Sequence, residues 1–434
     1  MRPTQIQEIN KRIKYVVSLS KQIPWYAKKY KELGINPDTI KTPQDLLKAY
    51  EKGFYTTPQD LPNLMPQYPV FGQYFLTSGS VGKPKIVALS SDDKERLIRE
   101  YTPAWKTFIK EGDIILTLLP SSPAISGVTV TESFSKMPVK VFHLPLPIGK
   151  DVNTFLEYWK LFKPNSLMGL TTSVYRLPLL LTEKGMEAKQ LGIKKIGVGA
   201  ESSTVERRKR IAEEFDARVY DFYATSENGL IGYEKEPFSD DHLITIPETL
   251  VFLVKGEEEV SKNENSEVIV TNLYRSGEKP LLPLINYKIG DWAKCIEKDE
   301  ESSVVTIISE IRRETAYLAG AKLNPQEVEA VIDGLGEFKG LLSGEYCIIN
   351  YNDTDRKAVA EIRLEARKPL TSEQKTQISQ QVRQKIYEAN IPVYHMAEIV
   401  KDAKLITSVT EPGQLYKGYE HLIKPGKPKR LITL

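Results

Sequence analysis

The stretch Phe75-Leu76-Thr77-Ser78-Gly79-Ser80-Val81-Gly82-Lys83-Pro84-Lys85-Ile86-Val87-Ala88-Leu89 decides how the rest of the chain is read. Apolar residues lead in and then resume, so two extended segments flank a turn that carries Thr77, Ser78, Ser80, two glycines and two lysines. Backbone amides in a glycine-containing turn can converge on phosphate oxygens, the hydroxyls add donors, and Lys83 or Lys85 adds positive charge. The ordinary P-loop has a different spacing. Here two residues separate Gly79 from Gly82, and Pro84 stands where that motif places its magnesium-binding hydroxyl. A plain surface hairpin has the same composition, so residues further along the chain must decide between the two.

Two later stretches bear on that choice. The strand expected over Lys194 to Val198 ends in Gly199-Ala200-Glu201-Ser202-Ser203 before a helix from Thr204 to Phe215, and ligand sites in open α/β sheets gather at such carboxyl ends. Val219-Tyr220-Asp221-Phe222-Tyr223-Ala224-Thr225-Ser226-Glu227-Asn228 then delivers an aromatic ring, small residues, hydroxyls and a carboxylate into a turn. Taken alone, each is also a strand end with a helix cap, and Gly290-Asp291 is a turn.

Taken in order, these segments resemble the acyl-adenylate-forming enzymes, the superfamily of acyl-CoA synthetases, luciferases and peptide-synthetase adenylation domains. Length and N-terminal organisation are most similar to the phenylacetate-CoA ligase branch. The resemblance implies an α/β fold with a large multi-sheet N-terminal domain, residues 1–311, for ATP and the acyl substrate, and a smaller mobile α+β C-terminal domain, residues 312–434. It implies that Thr77, Ser78, Gly79, Ser80, Gly82 and Lys83 hold phosphates, that Gly199, Ala200 and Glu201 lie beside the adenine and acyl groups, and that Tyr223, Ala224 and Ser226 face the nucleotide. By the same resemblance Glu227 is the metal ligand, Thr225 a catalytic donor and Asp291 the carboxylate that accepts both ribose hydroxyls, while Lys427 of Gly426-Lys427 is the catalytic lysine. Three departures stand out. Ala224 replaces the usual glycine, and Tyr416-Lys417-Gly418 stands where a Pro-Arg pair is expected. The hinge lacks the usual Gly-Arg pair, so aligning from Gly320 puts Ile311 on the arginine position and leaves Arg312 and Arg313 as alternatives for a phosphate or ribose contact.

Composition narrows the classes further. A chain of 434 residues is too long for one ordinary core. Sixty basic against 57 acidic residues leave a net charge of +3, which gives no broad nucleic-acid footprint. Neither a signal-peptide pattern nor an apolar run of roughly 18 residues is present, so no membrane role and a cytoplasmic location are expected. Cys295 and Cys347 are the only cysteines, and four scattered histidines make no zinc pattern.

Around the motifs the chain reads as alternating layers. Residues 5–33 show helical spacing broken at Pro24, and a proline-punctuated segment follows up to Gln73. Ser90-Ser91-Asp92-Asp93 starts a helix through Lys110; Ile114 to Leu119 is a strand, Ala124 to Met137 a helix, Val139 to Leu144 a strand, and Asp151 to Phe162 a helix. Asn324, Pro325 and Glu327 suit the start of another helix, and the alternation Ala397-Glu398-Ile399-Val400 leads toward a last strand.

The expected cofactors are ATP and Mg²⁺, with CoA as second substrate. The segments that the resemblance implies as walls of the acyl pocket, Pro123 to Gly127 and Gly199 to Ser203, are small and weakly polar, so the expected acid is a small carboxylate, aryl or medium aliphatic. Transfer to a carrier-protein thiol or an amine, AMP transfer to a cofactor, and a nucleotide-binding protein without turnover stay open as alternatives. The resemblance also admits a homodimer.

Overall fold

The computed structural model describes residues 2–66, 68–77, 85–120, 125–144, 148–200, 203, 205–238, 242–256, 258–259, 262–313, 315–420 and 430–434. Three helices lead in: α1 (Pro3–Ser20), α2 (Pro24–Glu32) and α3 (Pro43–Glu51), followed by the antiparallel pair β1 (Gly72–Thr77) and β2 (Lys85–Ser90). Then come α4 (Ser91–Phe108), β3 (Ile114–Thr117), α5 (Ser126–Ser135), β4 (Lys140–His143), α6 (Ile148–Phe162), β5 (Ser166–Leu170), α7 (Thr171–Thr182), β6 (Lys195–Gly199), α8 (Val205–Phe215), β7 (Arg218–Thr225) and β8 (Gly229–Tyr233). The strands β9 (Leu243–Thr245), β10 (Thr249–Lys255), β11 (Glu258–Glu259), β12 (Asn265–Asn272), β13 (Tyr287–Lys298) and β14 (Val305–Arg313) complete the large domain. The small domain holds β15 (Ala316–Leu318), β16 (Ala321–Leu323), α9 (Pro325–Asp333), β17 (Leu342–Asn352), β18 (Ala358–Ala366), α10 (Ser372–Ala389), α11 (Ile391–Tyr394), β19 (Ala403–Thr410) and β20 (Leu431–Thr433).

Twelve strands form one mixed sheet in the order β11-β10-β12-β13-β14-β9-β8-β7-β6-β5-β3-β4. Its β4-β3-β5-β6-β7 half is parallel, and the returning helices cover both faces. Phe155, Leu177, Leu181, Ile211 and Phe215 of α6, α7 and α8 pack one face, while Leu97, Tyr101, Trp105 and Phe108 of α4, with Phe134 of α5, pack the other. The parallel strands therefore end together at one edge, at Thr117, His143, Leu170, Gly199 and Thr225. The antiparallel half is covered by α1–α3, whose Ile13, Val16, Tyr26 and Tyr50 share a core with Phe252, Ile269 and Tyr287.

The start of α4 shows how a local signal is fixed by tertiary contacts. Ser90 and Asp93 make the capping box expected from the sequence. The same Asp93 carboxylate accepts from the Leu281 amide at 2.8 Å, and its other oxygen accepts from the Tyr274 hydroxyl at 3.1 Å. The helix that follows β2 is thereby tied to the segment that leads into β13.

In the small domain a four-stranded sheet, β19-β18-β17-β20, carries α9 and α10 around Val328, Ile348, Ile362, Ile378 and Val382. Asn324 and Glu327 cap α9 as expected. One local expectation fails. Residues His395–Val400 form a π-helical turn rather than an alternating extended lead-in, because Asn390 caps α11 through the Val393 amide and the helix runs on until Lys401 turns left-handed at φ 64. The C-terminal residues also form a strand: β20 pairs in parallel with β17.

Candidate nucleotide site

The best-described part of the site is the β7–β8 hairpin. Thr225 pairs with Gly229, so Ser226, Glu227 and Asn228 form the turn, and the Asn228 amide donates to Thr225 Oγ1 at 3.3 Å. Ala224, Thr225 and Ser226 are half-buried at the sheet edge, while Glu227 is buried. Its Oε1 accepts from the Tyr287 hydroxyl at 3.4 Å, and burial, reinforced by Glu227, holds that hydroxyl well above the usual tyrosine range.

Beside the hairpin, Tyr223 is only 2% exposed and its ring belongs to the core of the antiparallel half. What it offers outward is the hydroxyl, which donates to Asp291 Oδ2 at 2.8 Å. Gly290-Asp291, which in isolation would be a turn, lies inside the twelve-residue strand β13. A bulge explains how it still projects as a special residue. Glu267 pairs with Trp292 and Ile269 with Lys288, so three residues of β13 are set against one of β12, and Gly290 takes φ 87. Opposite, Asp291 pairs with Arg313 and Trp292 with Arg312 in the β13–β14 register. The side chains of Arg312 and Arg313 lie outside the described residues.

Gly199 closes β6, where a Cβ would come within 2.7 Å of the Phe222 carbonyl oxygen. Ala200 follows at φ 63, a left-handed conformation that a non-glycine residue adopts at a cost and that recurs at ligand-binding loops. The next described carbonyl, that of Ser203, accepts from Arg208 at 2.7 Å. Arg208 is fully buried and also reaches Asp221 at 3.2 Å and Glu234 at 3.5 Å. Desolvation pushes the Glu234 carboxyl up to about 7, against the pull of Arg208.

A second buried pair supports the Glu227 turn from below. Arg96 and Glu100, one turn apart on α4, form an ion pair at 1% and 0% exposure, and Arg96 Nη2 donates to the Asn228 carbonyl at 2.7 Å. Glu100 also accepts from Thr249 at 3.4 Å. Gly229, at φ 91, has no room for a side chain: a Cβ would meet Leu97 at 2.2 Å and Glu100 Oε2 at 2.6 Å. Since α4 begins where β2 ends, one helix joins the strand that follows the glycine-rich segment to the backbone of the Glu227 turn.

Other residues singled out from the sequence are not placed. Ser78, Gly79, Ser80, Gly82, Lys83, Glu201 and Lys427 lie outside the described residues, as does the Thr77 side chain; the β1–β2 pairing brings Thr77 opposite Lys85. Arg430 is described, and it pairs with Glu345 at 2.7 Å on the β17 edge. At the far side of the strand ends, His143 Nδ1 and Thr117 Oγ1 lie 2.6 Å apart and a Cβ on Gly127 would meet the His143 ring at 2.7 Å.

Sequence reasoning missed Arg96, Glu100, Arg208, Glu234 and Tyr287. The α4 pair left a signal: Arg96 and Glu100 fall in phase with Leu97, Tyr101, Ala104 and Phe108, so charges stand on the apolar stripe. Nothing local marked Arg208, which sits in a run of basic residues whose neighbours Lys209 and Arg210 are exposed.

Among the described residues no group of three or more His, Cys, Asp or Glu side chains is placed to hold a metal ion. A single carboxylate flanked by hydroxyls still fits Mg²⁺, which binds through one or two carboxylates together with phosphate oxygens and water. No described helix is long and apolar enough to cross a membrane.

No protein-family model and no curated protein matches the sequence. Solved structures do match in fold. A 2-hydroxyisobutyryl-CoA ligase in complex with 2-HIB-AMP and CoA, in its thioesterification state, superposes with a TM-score of 0.74 at 16% identity, over 100% of this chain and 90% of that one. The open conformation of that ligase gives 0.61, again at 16% identity, over 98% of this chain and 90% of that one. The amide bond synthetase McbA from Marinactinospora thermotolerans gives 0.52 at 13% identity, over 77% of this chain and 64% of that one. The chain thus has the fold of the adenylate-forming ligases, with a large mixed α/β domain and a smaller α+β domain.

Proposed function

We propose that this protein activates a small carboxylic acid with ATP, releasing pyrophosphate, and passes the acyl group of the resulting acyl-adenylate to the thiol of CoA. The observation that carries the reading is the pairing, at the carboxyl edge of the sheet, of Tyr223 with Asp291 and of Tyr287 with Glu227, within a fold that matches a CoA ligase along its whole length. Two carboxylates are held there by tyrosine hydroxyls, one suited to a diol and one to a cation.

In the first step a carboxylate oxygen attacks the α-phosphorus and the bond to pyrophosphate breaks. No general base is needed, since the acid is already ionised near neutral pH. Negative charge grows on the phosphoryl oxygens, so fixed donors and cations there lower the barrier. Thr225, the hydroxyls of Thr77, Ser78 and Ser80, and Lys427 supply them, with Lys83 serving the β- and γ-phosphates. Gly79 and Gly82 let the backbone approach, Gly199, Ala200 and Glu201 wall the adenine and acyl groups, Ala224 and Ser226 face the nucleotide, and Asp291 holds the ribose. Mg²⁺ bound at Glu227 would neutralise phosphate charge. The hinge is assigned to the last residues of β14, about the 311–312 division expected from the resemblance, with Arg312, which still pairs with Trp292 of β13, as its nucleotide-side contact.

CoA is preferred over an amine as acceptor because the likeness to the CoA ligase, 0.74 over the whole of this chain, is higher and more extensive than that to the amide synthetase, 0.52 over 77% of it. Product mass spectrometry with ATP, a panel of acids and either CoA, amines or carrier protein tests the assignment. Acyl-CoA and AMP are the expected products. Acyl-amide or acyl-carrier product without acyl-CoA would replace CoA as acceptor, and absence of AMP in every arm would refute the reading.

A further inference from the structure

Among the described residues, two charged contacts join the small domain to α7 and α8 of the large one. The first is made by Arg356, in the turn between β17 and β18. This turn is rigid in itself: Asp353 Oδ1 accepts from the Lys357 amide at 2.8 Å, Asn352 donates to the Arg356 carbonyl at 3.1 Å, and Arg356 holds φ 56. The Arg356 side chain leaves its own domain. Its guanidinium pairs with both oxygens of Glu214 on α8, donates to the Tyr175 carbonyl on α7 at 2.8 Å, and lies 4.4 Å from the centre of the Tyr175 ring. Arg356 is 5% exposed in this arrangement. The second contact is the ion pair of Arg176 on α7 with Asp402, which precedes β19; both residues are buried. A planar guanidinium with a two-pronged carboxylate partner and a stacked ring is satisfied only at one relative placement of the two domains.

That placement can be compared with known ones. Against one and the same 2-hydroxyisobutyryl-CoA ligase the TM-score is 0.74 for the thioesterification state, 0.63 for the postadenylation state and 0.61 for the open conformation.

We infer that Arg356, seated between Glu214 and Tyr175, is a positioning residue for the acyl-transfer step, and that Arg176–Asp402 is its companion. Together they hold the small domain where the acyl acceptor is delivered and have no part in forming the adenylate. This rests on the two-step reaction proposed above. It assigns the two steps different dependence on a contact that touches neither substrate.

The test uses the full-length protein and separates the half-reactions. Arg356→Ala and, independently, Glu214→Gln should slow CoA-dependent consumption of supplied acyl-adenylate by roughly 10-fold or more. Both should leave carboxylate-dependent ATP–pyrophosphate exchange within about 2-fold of wild type, well inside a single factor of ten in rate. The charge exchange Arg356→Glu with Glu214→Arg should recover part of the lost transfer rate. Equal loss of both half-reactions, or no loss in either, overturns the inference, and Asp402→Asn must show the same split. A readout free of chemistry keeps this distinct from failure of the proposed function. Both native cysteines are buried, so spin labels on introduced cysteines at the exposed positions Lys184 and Lys368 report the distance between domains. Arg356→Glu should broaden or shift that distribution even if no exchange is found with any acid; an unchanged distribution overturns the inference.

Discussion

Replacing Arg96 by Met leaves the Glu100 carboxylate buried without its cation and the Asn228 carbonyl without its donor. Both residues are essentially inaccessible, and removing one member of a buried ion pair costs about 3–5 kcal/mol. Glu100→Leu should cost a similar amount by stranding the guanidinium. The double variant Arg96→Met/Glu100→Leu removes both charges together, so its cost should fall below the sum of the singles by at least about 2 kcal/mol. Urea unfolding followed by tryptophan fluorescence measures this for the right unit, because Trp25, Trp105, Trp159 and Trp292 all lie before the small domain. A catalytic effect should accompany the loss of stability: Asn228 follows Glu227 directly, so Arg96→Met should raise the KM for Mg-ATP more than the KM for CoA. Additive single-variant costs, or single costs under about 1 kcal/mol, would refute the view that this pair is a coupled support under the turn.

Three further expectations follow from the same geometry. Tyr223→Phe removes the hydroxyl that orients Asp291 and should weaken ATP binding by roughly 10-fold, with Asp291→Ala at least as severe; unchanged nucleotide affinity in both, by calorimetry, would count against a ribose role. Glu234 titrates near 7 in the folded chain against 4.5 when free, so its stabilising contribution is complete below about 4.5 and is lost as pH rises through 7. Glu234→Gln should therefore flatten the decline in stability between pH 5 and pH 8, and a decline identical to that of wild type would show that the group does not titrate there. Lys427→Ala should suppress pyrophosphate release while sparing CoA-dependent use of supplied acyl-adenylate, and an equal loss of both steps would remove the lysine from its assigned step.

The fold was legible where local chemistry and tertiary demand agree. Ser90 with Asp93 and Asn324 with Glu327 announced two helices because each supplies its own cap, and the apolar run from Ile114 announced a strand covered on both faces. Asp291 was legible as a residue of interest but not as to its setting, since a bulge is decided by pairing with β12 and leaves only Gly290 as a trace. The alternation Ala397-Glu398-Ile399-Val400 suggested a lead-in to a strand rather than a helical turn because four residues are too few to separate period two from a helical period. Arg208, Arg356 and Glu214 gave no sign at all. Each is an ordinary charged residue in a polar stretch, and its partner is supplied by the following strand, for Arg208, or by the other domain, for Arg356 and Glu214.

The measurement that bears most directly on the central claim is exchange of labelled pyrophosphate into ATP, without CoA, across a panel of aryl, fatty and amino acids. Exchange should appear only when a suitable acid is present and should be lost in Glu227→Gln. ATP binding with no exchange for any acid, or exchange indifferent to the acid, would contradict an adenylate-forming function.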